Sequence, residues 1–167
     1  MSETLADLIP PLGARLHIVR ISFKPDRGWD EAIDLAGHGT PDDSSVRKVG
    51  HQYPPTGNEE TNEDIILLRL HNSDSFDVAL AWARENKLEN TVPREVFAIG
   101  EQYPKLYDII GENPIHVVAT EECNFNSDRR ACYVWWRGSR CQADLGHVVA
   151  LGRVCTWFAF RRPTPKA

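Results

Sequence analysis

The sequence predicts an α+β fold: helices packed on a mostly antiparallel sheet, with a C-terminal meander of three to four strands. Three observations carry this expectation. Runs rich in β-branched and aromatic residues alternate with a period of two. Segments with apolar residues at helical spacing fall between the second strand-like run and residue 110, with one more after the first run. Beyond residue 114 only short strand-like runs remain, so helices precede a block of strands instead of alternating with them.

Residues 2–13 carry Leu5, Leu8, Ile9 and Leu12, but Pro10-Pro11 limits them to a short helical turn. Residues 15–23 (RLHIVRISF) place Val19, Ile21 and Phe23 on one face of a strand. Residues 29–36 (WDEAIDLA) set Trp29, Ala32, Ile33 and Ala36 at helical spacing, with acids early and Gly37 at the exit. Residues 63–71 (EDIILLRLH) read as a strand buried on both faces over Ile65–Leu68, and so as a central one. Ser73 or Asp74 can cap a helix running to about Leu88, and Thr91 with Pro93 opens another that Gly100 and Pro104 break. Residues 105–110 form a last turn closed by Gly111. The strands of the meander are 115–120, 132–137 and 156–161, with Asn126-Ser127-Asp128 as a turn signal; residues 141–145 can extend the sheet and 147–151 can form a helical turn.

At 167 residues the chain reads as one globular domain, 1–167. Residues 37–62 form a long loop within it, and residues 163–167 (PTPKA) a frayed tail. The loop holds only Val46, Val49 and Tyr53 as larger apolar residues, which predicts mobility, with a short strand possible around 47–49. The longest aliphatic runs are four residues, Ile65–Leu68 and Val148–Leu151, too short for a membrane span, and the acidic start is unlike a signal peptide. A soluble, cytoplasmic protein without a membrane partner is expected. Cys123, Cys132, Cys141 and Cys155 contain no C-x-x-C pair and read as free thiols, mostly buried, although Cys123 and Cys132 flank a turn closely enough to raise a disulfide as an alternative.

The net charge of −5 is unevenly spread. Residues 1–118 hold twenty acids against eleven bases; residues 119–167 hold four acids against eight bases. Seven of those eight bases are arginine, a residue suited to carboxylate and phosphate recognition and to stacking on aromatic rings. The same segment carries Tyr133, Trp135, Trp136, Trp157, Phe158 and Phe160. Trp and Arg are the residues most enriched in binding hot spots, so Trp135, Trp136, Arg137, Arg140, Trp157 and Arg161 are the candidate binding residues. Strand alternation sends Trp135 and Trp136 to opposite faces, so one is expected in the core and the other at the surface.

Phosphate-loop, dinucleotide, zinc-protease, α/β-hydrolase and kinase motifs are all missing, and no cofactor or metal is called for. The best catalytic alternative lies in the long loop, where His38, Asp42, Asp43 and His51 could serve a hydrolytic or metal-dependent reaction. The leading expectation is a small binding protein that docks a protein partner, in the manner of inhibitors, immunity proteins or anti-defence proteins. A single-stranded nucleic-acid binder using the Arg/Trp-rich strands is the third reading, opposed by the overall negative charge.

Overall fold

The computed structural model describes residues 7–71, 75–151 and 155–163. Its framework is one mixed, mostly antiparallel sheet of eight strands with helices on both faces, an α+β architecture. The strands are β1 (Arg15–Phe23), β2 (Thr61–Arg69), β3 (Glu89–Asn90), β4 (Ile115–Ala119), β5 (Cys123–Phe125), β6 (Asp128–Arg137), β7 (Arg140–His147) and β8 (Thr156–Arg161). The helices are α1 (Trp29–Ala36), α2 (Phe76–Glu85), α3 (Pro93–Gln102) and α4 (Leu106–Ile110). The main order across the sheet is β1-β2-β8-β4-β6-β5, with β7 also on β6 and the short β3 on β8. Every pairing is antiparallel except β4 with β8.

Alternation along each strand feeds two separate cores. Val19, Ile21, Ile65, Leu67, Val117, Val134, Trp136, Trp157 and Ala159 face α1, α3 and α4. Ile66, Leu68, Val118, Phe158 and Phe160 face α2, where Phe76 and Trp82 meet Phe158 and Phe160 ring to ring. Burial on both faces is why Ile65–Leu68 is an unbroken apolar run, and β2 is an interior strand as expected. The meander is shorter than the sequence suggests. It runs β5-β6-β7, while residues 156–161 leave it and insert as β8 between β2 and β4. Period-two alternation assigns faces, not neighbours, so this placement had no local signal.

Two more expectations need correcting. Residues 45–52 form a 3-10 helix, not a strand, and the long loop is packed down. All three of its larger apolar side chains, Val46, Val49 and Tyr53, are buried in the first core. Arg47 fastens the segment by bonding Asp30 and Asp34 of α1 and the carbonyls of Thr40 and Pro41. The helical cap expected at Ser73 or Asp74 lies outside the described residues, as do residues 164–167 of the tail; Ser75 caps α2 by accepting from the Val78 N–H.

Both outer edges of the sheet are covered, which blocks unwanted strand addition. On β1, the Gln102 side chain accepts from Ser22 N–H at 2.9 Å and donates to Ser22 O at 2.8 Å, as a neighbouring strand would. On β7, Gly37 lies so close that a Cβ there would sit 1.8 Å from the Cys141 carbonyl oxygen, and the Thr40 hydroxyl donates to Ala143 O. Asn126 and Ser127 turn β5 into β6 with φ values of 52° and 65°, the doubly left-handed geometry of a type I′ turn. Glycine suits the second position better than serine, so Ser127→Gly should raise stability by about 0.5–1 kcal/mol, read as a higher thermal midpoint. An unchanged or lower midpoint would mean that the serine side chain stabilises the turn in another way.

Candidate functional site

The β6–β7 hairpin turns on Gly138-Ser139, with Gly138 at φ 57°, and pairs Arg137 with Arg140 at its tip. Trp135 and Trp136 take opposite faces. Trp136 is fully buried under α3 and α4, and its indole N–H donates to Tyr103 O at 3.0 Å. Trp135 is half-buried on the other face, where no described helix covers it, and its N–H has no acceptor among the described residues. The Arg140 guanidinium lies 6.0 Å from the Trp135 ring centroid, within cation–π range.

Beside Trp135 on this face, His116 stacks on Tyr133 with centroids 5.3 Å apart, and Asp144 reaches the Tyr133 hydroxyl. Burial and the neighbouring Asp144 carboxylate push the Tyr133 phenol up to about 12, and burial lowers the His116 pKa. Both rings are therefore held neutral at physiological pH. Around the hairpin edge, Arg140 also lines an open cleft of about 480 Å³ with His38, Glu101, Ser139, Cys141 and Gln142. Burial pushes the Cys141 thiol up to about 12, and it donates to Ala36 O. It is a packing group, not a nucleophile.

The remaining sequence candidates do not join this surface. Trp157 is buried in the first core, with the Arg15 guanidinium 5.3 Å from its ring. Arg161 is engaged by Glu89 at 3.1 Å and Glu95 at 2.8 Å. The C-terminal arginines divide accordingly. Arg129 binds Asp77 and Glu122, and Arg130 reaches Asp128, whereas Arg137 and Arg140 have no carboxylate or hydrogen-bond partner among the described residues.

The loop constellation does not assemble either. His38 lines the cleft, but no group of three or more His, Cys, Asp or Glu side chains among the described residues is placed to hold a metal, so Asp42, Asp43 and His51 do not converge on it. The four cysteines are free thiols; Cys132 is fully buried, which pushes its thiol up, and it hydrogen-bonds the Cys123 side chain.

The chain matches no family model, no curated protein and no solved structure. Tyr133 could be placed beside Trp135 from alternation alone, whereas His116, Glu101 and Gln142 come from other strands and from α3, and only the register brings them near.

Proposed function

We propose that this protein is a binding protein that docks an acidic protein partner on the β6–β7 hairpin, in the manner of small inhibitors or immunity proteins. The observation that carries the reading is the pair of arginines, Arg137 and Arg140, that have no counter-ion among the described residues, beside a half-buried tryptophan whose N–H finds no acceptor among them. Elsewhere the C-terminal arginines Arg129, Arg130 and Arg161 are neutralised within the fold. An aromatic anchor flanked by free guanidinium groups suits a partner that brings carboxylates to the rim and a flat apolar group to the centre. No described helix is long and apolar enough to cross a membrane, and four free thiols fit a reducing, cytoplasmic setting.

The test is affinity capture on immobilised wild-type protein, with identification of what is retained, repeated with Trp135→Ala and with Arg137→Glu/Arg140→Glu. A specific protein should be retained by the wild type and lost by both variants, with affinity reduced by about 30-fold or more for Trp135→Ala, a hot-spot loss near 2 kcal/mol. Binding should weaken as salt rises. Retention that survives both variants, or retained material that proves to be nucleic acid, overturns the reading.

A further inference from the structure

At the opposite end of α3 from the hairpin cleft, another arginine stands without a carboxylate partner among the described residues. Pro93 opens the helix and Arg94 follows it. The Arg94 Nε donates to Arg27 O at 2.8 Å, Nη1 donates to Tyr53 O, and the guanidinium lies 5.3 Å from the Trp29 ring. Trp29 is itself fixed. Its N–H donates to Val46 O at 2.9 Å, Tyr53 stacks on it at 5.5 Å, and Phe97 meets it edge-on at 5.3 Å. Arg94 is thus held by three neutral groups from two stretches of chain, residues 27–29 and Tyr53, and no carboxylate among the described residues lies within ion-pair distance. The nearby Glu101 is already taken by Arg27.

A partly buried cation with only neutral partners is a costly arrangement unless something supplies the missing charge. Burial lowers the Arg94 pKa, as expected for a cation without a counter-charge. Above it opens a cleft of about 300 Å³ whose walls include Phe23, Tyr53, Pro54 and Val92, with Glu121 and Arg161 also in the lining. Mostly apolar walls with a few convergent polar groups are the usual form of a small-molecule site, and this volume is at the small end of the range. Arg161 brings little free charge, because Glu89 and Glu95 already engage it. Glu121 disfavours a ligand carrying a second negative charge.

We infer that this cleft binds a small monoanionic carboxylate with a flat apolar body, its carboxylate on Arg94 and its body between Tyr53 and Phe23. The site shares no residue with the hairpin surface, so either can fail alone.

The experiment titrates the full chain with benzoate, following the Arg94 Nε–H and Trp29 Nε1–H resonances, with phenyl phosphate and inorganic phosphate in parallel. Saturable shifts of both resonances with benzoate are expected, in the millimolar range usual for so small a probe. Phenyl phosphate should bind more weakly. Arg94→Met should lower benzoate affinity by about tenfold or more while keeping a native spectrum. If that variant does not fold, Arg94→Lys, which keeps the charge but loses the two-carbonyl clamp, should bind at least threefold more weakly. Absence of saturable shifts in the wild type, undiminished affinity in the folded variant, or equal displacement by inorganic phosphate overturns the inference.

Discussion

Trp136→Ala should cost about 3–5 kcal/mol of folding stability, whereas Trp135→Ala, one residue away, should cost little. The contrast follows from burial and hydrogen bonding. Trp136 is 0% exposed, opposes Ile115 on β4 and Cys141 on β7, and lies against the segment that joins α3 to α4. Removing the indole leaves a large cavity and takes from the Tyr103 carbonyl one of its two donors, at 3.0 Å, leaving the Leu106 N–H at 3.1 Å. The lost hydrogen bond adds about 1 kcal/mol to the transfer and cavity costs. Trp135 loses only half-buried contacts and the Arg140 stack, which together are worth about 1 kcal/mol. Denaturant unfolding of the two single variants checks this. Equal, large losses would mean that the Trp135 face is covered in solution, and the proposed docking surface would fall with it.

The thermal midpoint of the wild type should decline between pH 5 and pH 9 relative to that of Glu95→Gln. Glu95 is 0% exposed on α3, yet its Oε1 accepts from the Val92 N–H and from Arg161 Nη1, both at 2.8 Å. Its Oε2 is buried with no donor among the described residues, and so is Oε2 of the neighbouring Glu63 carboxyl. One proton shared between the two carboxyl groups satisfies both oxygens. Burial first, and then Glu63, push the Glu95 carboxyl up to about 9, so the native state keeps a proton that the unfolded chain releases near the ordinary 4.5. Because the native state binds more protons, this contribution to stability is complete below pH 4.5 and is lost as pH rises through about 9. Glutamine carries a permanent N–H where the shared proton sits and keeps an oxygen for Val92 and Arg161, so its midpoint should lack this slope. Glu95→Ala should be destabilised at every pH, by about 3 kcal/mol, because it removes one partner of a buried charge cluster. A wild type that tracks Glu95→Gln across the range would show that no proton is held there.

What could be read from the sequence was whatever local periodicity controls. The strands at Arg15–Phe23 and Thr156–Arg161 and the helix Trp29–Ala36 have the bounds that alternation, Gly37 and Pro25 imply. The opposed faces of Trp135 and Trp136 follow from the pleat alone. What could not be read was set by distant partners. Nothing local marks Trp157 as buried and Trp135 as half-exposed; both stand in aromatic strands, and only the layer above each decides. Arg161 and Arg140 look alike in sequence, but Glu89 and Glu95 pair with one and no acid among the described residues pairs with the other. The loop at 37–62 looked too polar to pack, because composition counts apolar side chains and ignores that all three point the same way. Glu95 reads as a helix-start acid, and its buried partner Glu63 arrives from a strand 32 residues earlier in the chain.

The position of β8 has a consequence for how the chain is made. β1-β2 and β4-β6-β7 share no ladder hydrogen bonds with each other; both lean on residues 156–161. As the chain leaves the ribosome, β2 and β4 must wait as open, apolar edges until the strand between them has been synthesised. Such edges are where nascent chains pair with the wrong neighbour. The long sequence separation between β2 and β8 also slows their closure. Bacterial overproduction at high temperature should therefore direct this protein toward inclusion bodies, and slower synthesis in the cold should recover it.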